Sequence, residues 1–134
     1  MMLQYIIHNH PMRKVIATIR DRLDRLGVLL SGLCVVHCLA GLVLVSVLGL
    51  GGEALLSPAI HRVGLALAVV VGAFTIGLGA LRHGQRAPLL IGSAGIVLMA
   101  CAVIIGHGAA EAAFTVAGVA LVAIAHIRNL RAAT

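Results

Sequence analysis

From Leu26 to Leu50 the chain runs for about 25 residues without an Asp, Glu, Lys or Arg. A helix of that length rises about 37 Å, enough to cross the roughly 30 Å hydrocarbon core of a bilayer with some tilt. The whole sequence has the same character: 61% of its 134 residues are hydrophobic, against about 45–50% in soluble domains. It reads as an integral membrane protein, too short for more than one compact unit. Apolar length gives four spans, at about 26–50, 63–81, 88–106 and 110–127. Breakers gather at the junctions: Gly51-Gly52 through Pro58, Arg82-His83-Gly84-Gln85-Arg86, and His107-Gly108. Short connections make neighbouring spans antiparallel, so the expected fold is all-α, an up-down four-helix bundle in the membrane.

Charge orients the spans. Arg13, Lys14, Arg20, Arg22 and Arg25 precede the first, Arg82 and Arg86 follow the second, and Arg128 and Arg131 follow the fourth. Only Arg62 falls on the opposite side. The positive-inside rule then puts both termini in the cytoplasm. These ten basic residues are not interleaved with aromatics on one patch, so the net charge of +6 reads as topology rather than nucleic-acid binding. Residues 1–25 are expected to form a cytoplasmic or interfacial segment ahead of a transmembrane domain at 26–131. Within that segment Met12, Val15, Ile16, Ile19, Leu23 and Leu26 recur at helical spacing, the pattern of an interfacial amphipathic helix. The beginning of the chain does not read as a secretory signal, because its polar stretch is long and its apolar run exceeds the usual length.

The chemistry lies in the first span, at Cys34-Val35-Val36-His37-Cys38. Cys34 and Cys38 stand one helical turn apart on one side, and His37 falls on the flank of that face. An ionisable group at membrane depth is costly and points to function or a dedicated partner. Two thiols and an imidazole are the donors that soft and late transition metals prefer. The structural alternative is that Gly27, Ser31, Cys34, Cys38 and Gly41 form a small-residue stripe for close helix packing. That reading accounts for the cysteines but leaves His37 without a reason. Three cysteines cannot close a disulfide framework, and an i,i+4 disulfide within one helix is strained, so the thiols are expected to be reduced.

A divalent ion that binds two thiols displaces two protons and leaves a neutral complex, which suits a site in lipid. Mercury is satisfied by two thiolates, whereas zinc almost always takes four ligands and needs His37 plus donors from other helices. Depth suggests one. At 1.5 Å per residue, Cys38 lies about 18 Å from the cytoplasmic end of the first span and Cys101 about 20 Å from that of the third, with Met99 close by. Cys101 is a candidate ligand on this arithmetic, with a packing role as the alternative. His107 and Glu111 are four apart near the outer surface, where they form either an outer collecting site or an ordinary aqueous pair. His8 and His10 form a lone His-x-His, and His61 and His83 are expected in solvated loops. Gly64, Ala68, Gly72, Gly77, Gly79, Gly92, Gly95 and Gly118 continue the small-residue theme and predict close helix approach. No nucleophile–base–orienter set is visible, so an enzyme is not expected.

Several of these strings together resemble a known family. Asp24-Arg25-Leu26-Gly27 leads into Ser31 and the Cys-Val-Val-His-Cys motif, an Arg-His loop follows the second span, and Ala125-His126-Ile127-Arg128-Asn129 closes the fourth. Over roughly Asp21 to Arg131 the chain resembles the MerC family of mercury-resistance inner-membrane proteins. The resemblance implies a four-helix bacterial inner-membrane protein that takes up or binds Hg(II) through the cysteine pair. It also makes His126 a candidate ligand at the cytoplasmic end. Family members from mercury operons carry a second cysteine pair near the cytoplasmic C-terminus, and this chain has no cysteine after Cys101. That difference removes the ligands for a relay to a cytosolic reductase and keeps another metal, such as zinc, open as cargo.

The expected function is thus binding and inward transport of soft metal ions at Cys34, His37 and Cys38, with no permanent cofactor. The alternatives are a membrane metal or redox sensor and a structural accessory protein. Expected partners are the metal ion, the lipid bilayer, and either a second copy or another metal carrier.

Overall fold

The structure, a computed structural model, describes residues 10–49, 57–106 and 108–132. They form four helices: α1 (His10–Leu48), α2 (Pro58–His83), α3 (Ala87–Ile105) and α4 (Ala109–Arg131). All four are long and apolar enough to cross a membrane, and no strand occurs among the described residues. Each helix touches its neighbours in chain order, α4 packs back on α1, and α2 also reaches α4, while the backbones of α1 and α3 stay apart. This is the cyclic order of an up-down bundle.

The ends follow local chemistry. Pro58 and Pro88 sit in the first turns of α2 and α3, where a missing N–H costs nothing. Gly84 closes α2 at φ 68°, its N–H bonded to the Ala80 carbonyl. Glu111 at the start of α4, and Arg128 and Arg131 at its end, complement the helix dipole. Two boundaries differ from the apolar-run expectation. α2 begins five residues before Val63 and extends past Leu81, so His61 and His83 are helical and partly covered rather than solvated in loops. The polar residues His61 and Arg62 broke the apolar run, but they do not break a helix started by Ser57-Pro58.

α1 is one unbroken helix of 39 residues, about 58 Å long and nearly twice the bilayer core. The amphipathic segment is therefore continuous with the first span, since no proline interrupts it after Pro11. Its apolar residues Met12, Val15, Ile19 and Leu26 face outward, while Arg20 and Asp24 are buried. Arg20 and Asp24 turn inward, while Arg13, Lys14, Arg22 and Arg25 stay exposed.

That polarity follows a regular seam. The buried residues of α1 include Arg20, Asp24, Gly27, Ser31, Cys38 and Gly41, with half-buried Cys34 between them, in alternating steps of four and three. α3 repeats the pattern with Pro88, Gly92, Gly95, Met99 and Ala102, and α4 with Glu111, Thr115, Gly118, Val122, Ala125 and Asn129. A spacing of 3.5 residues is the signature of helices packing as in a left-handed supercoil. Large apolar side chains such as Leu33, Val36, Phe74 and Ile104 point outward instead, as lipid-facing positions should.

Small residues set the closest crossing. A Cβ on Gly95 would lie 2.6 Å from the Gly118 carbonyl oxygen, and one on Gly118 would lie 2.7 Å from that of Gly95. The backbones of α3 and α4 are in contact there, as expected for small-residue packing in lipid. Gly64 and Gly77, by contrast, have no neighbour within 4 Å of an added Cβ, so they do not form such a seam.

Candidate metal centre

Cys34 and Cys38 lie one helical turn apart on the seam of α1. Cys38 is buried at 2% exposure. Cys34, half-buried, packs against the core cluster of Met99, Val119 and Val122. Both thiols are free. Opposite Cys38 stands an imidazole that the sequence reading assigned to solvent: His61 Nε2 is 3.7 Å from Cys38 Sγ. On its other side His61 Nδ1 lies 3.5 Å from Glu111 Oε1. Glu111 thus faces His61 from α4; His107, its expected partner, lies outside the described residues, as does His8.

Thiol, imidazole and carboxylate therefore form a row across α1, α2 and α4, contrary to the expectation that no such set exists.

A cavity of about 300 Å³ runs along this side of the bundle between α1 and α2. His37 and His61 line one end, Cys34 and Met99 the middle, and Gly27 and His126 the other end. Gly27 and His37 are ten residues apart on α1, so the cavity extends about 15 Å along it. His37 reaches the cavity wall. Cys101 is half-buried and is not among the lining residues, because Met99, two positions earlier, takes the inward face. Three His, Cys, Asp or Glu side chains do not converge anywhere among the described residues as a ready-made metal cluster. The empty thiol pair is a two-donor site.

His126 belongs to a second polar group at the far end of the cavity. Its Nδ1 is 2.6 Å from Asp24 Oδ1, and Asn129 Nδ2 donates to Asp24 Oδ2 at 2.7 Å and to the Thr75 carbonyl at 3.2 Å. Asp24, Asn129 and Thr75 are fully buried. The proton positions follow from the partners. The Gln85 N–H donates to His83 Nδ1, so His83 carries its proton on Nε2 and donates to Asn129 Oδ1 at 2.9 Å. Asn129 then turns its NH₂ toward Asp24. The Thr75 hydroxyl donates to the Val71 carbonyl at 2.8 Å and faces His126 Nδ1 at 3.4 Å as an acceptor. His126 accordingly donates through Nδ1, and in the neutral ring Nε2 holds the lone pair.

That nitrogen lies against Gly27, where an added Cβ would sit 2.5 Å away. Gly79 makes the same room for the Asn129 amide. Arg20, buried beside Asp21, holds its Nε 4.0 Å from Asp24 Oδ2 and offsets the carboxylate's charge. The sequence singles out His126 and Asn129 at the end of the fourth span, but not their partners Asp24, Thr75 and His83.

Fold and site together define a small multi-pass membrane protein with a thiol pair buried on its first helix. The family profile described as MerC mercury resistance protein matches residues 24–131, and the chain belongs to that family. No curated protein and no solved structure matches it significantly.

Proposed function

We propose that this protein binds soft metal ions, Hg(II) foremost, at Cys34 and Cys38 within a bacterial inner membrane and passes them inward. The observation that carries the reading is the pair of free thiols one turn apart on the inner seam of α1, with Cys34 on the wall of a cavity. Family membership supplies the mercury. Two thiolates neutralise a divalent cation, so the loaded pair carries no net charge into a medium that penalises it. His37 lies on the same wall and assists in orientation or as proton acceptor. His126 is the candidate ligand at the cytoplasmic end, its ring fixed by Asp24 with Nε2 against Gly27 beside the cavity. A carboxylate behind a histidine is the usual way such a ligand is fixed. Cys101 joins neither station in this reading.

Titration of the purified protein tests the choice of ion. His37→Ala is expected to weaken Hg(II) binding only modestly, since the two cysteines supply most of the mercury affinity. Zinc depends on additional ligands and should be largely lost in the same variant. Tight zinc binding in the wild type that disappears in His37→Ala, with mercury bound only nonspecifically, would move the cargo from mercury to zinc. Both termini are assigned to the cytoplasm from the distribution of basic residues. Reporter fusions after Gly52 and after Gln85 are expected to report opposite sides of the membrane. The same side for both would end the four-span topology.

A further inference from the structure

His61 has a burial and orientation that packing does not explain. Its side chain is 8% exposed, and its Nδ1 is buried and makes no hydrogen bond among the described residues. The nearest carboxylate oxygen, on Glu111, stands at 3.5 Å, close enough for attraction but outside hydrogen-bond geometry. A polar ring left so incompletely paired in an apolar bundle is costly. Its other nitrogen points at the Cys38 sulfur, and the ring lines the same cavity as Cys34.

We propose that His61 is the third donor to a soft or borderline divalent cation held by Cys34 and Cys38, and that Glu111 orients it. The proposal rests on the reading of the thiol pair as a metal site. Its support is a distance. With zinc-like bonds of about 2.3 Å to sulfur and about 2.0–2.1 Å to nitrogen, an angle between about 110° and 120° separates the two donors by about 3.6–3.8 Å. Cys38 Sγ and His61 Nε2 are 3.7 Å apart. The carboxylate sits on the nitrogen facing away from the thiol, as it does behind metal-bound histidines. His61 meets the Cys38 sulfur while Cys34 stands one turn away on α1, and the three donors do not converge among the described residues, so binding of the ion turns the Cys34 side chain toward it. The complex is then S₂N and spans two helices, so metal capture ties α1 to α2.

The test uses the full chain in micelles, labelled with ¹⁵N-histidine and titrated with Hg(II) chloride, with alkylation of the cysteines followed in parallel. Wild type should protect Cys34 and Cys38 and shift one imidazole nitrogen at one equivalent, and His61→Gln should remove that shift. Hg(II) affinity measured by competition should fall at least tenfold in His61→Gln and roughly tenfold in Glu111→Gln. Glu111→Gln keeps the shape of the site and serves if His61→Gln fails to fold. Protected cysteines with no shifted imidazole nitrogen, a shift that survives His61→Gln, or unchanged affinity in Glu111→Gln would overturn the third donor and leave the thiol pair standing. Unprotected Cys34 and Cys38 in wild type would overturn the thiol pair and the third donor together.

Discussion

Cys34→Ser, Cys38→Ser and the double variant are each expected to lose Hg(II) binding to nearly the same extent. The reason is charge as much as ligand count. Two thiolates and a divalent ion form a neutral unit, while one thiolate leaves a net positive charge beside lipid-facing walls. Either single change therefore removes a ligand and unbalances the remainder. The loss should exceed the roughly 10–100-fold that follows removal of a group behind a ligand. Binding measured by competition with a small thiol checks this. Two independent, additive losses would mean that the cysteines do not share an ion.

Asp24→Ala is expected to be the most destabilising single substitution in the bundle. Asp24 accepts from His126 and Asn129 and stands opposite Arg20. Hydrogen bonds between membrane helices average only about 0.6 kcal/mol each, so the neutral contacts alone would cost little. The charge decides the matter. Removing one partner of a buried, paired charge leaves the others uncompensated and costs about 3 kcal/mol. Asp24→Asn should recover only part of that, because an amide donor would face the donors of His126 or Asn129. Unfolding in mixed micelles measures it, and a change below about 0.5 kcal/mol, the range of an ordinary surface substitution, would mean that the network does not form. Asp24→Asn should also lower metal occupancy at His126 without affecting alkylation protection at Cys34 and Cys38.

The spans were legible because lipid demands apolar length, and a run such as Leu26–Leu50 has few other uses. Helix rotation was not, and the sites depend on it. Part of the missing information was nevertheless present. The stripe Gly27, Ser31, Cys34, Cys38, Gly41 extends backward in the same steps of four and three to Asp24 and Arg20, which predicts that both are buried. An amphipathic segment at the interface leads one to expect both outside, yet the bundle turns these two residues inward while Arg13, Lys14, Arg22 and Arg25 stay exposed. His61 was misplaced because Arg62 ends the apolar run, although Ser57-Pro58 is a helix start that puts His61 in the first turn of α2. Its approach to Cys38 is a contact between elements 23 residues apart in sequence, which no local pattern specifies. The same holds for Met99 taking the inward position that depth arithmetic had offered to Cys101.

Transport itself is tested most directly by uptake of radiolabelled Hg(II) into right-side-out membrane vesicles carrying the wild type or the Cys34→Ser/Cys38→Ser double variant at equal, folded abundance. The account predicts uptake above protein-free vesicles for the wild type and background uptake for the double variant. Wild-type rates in the double variant would contradict it.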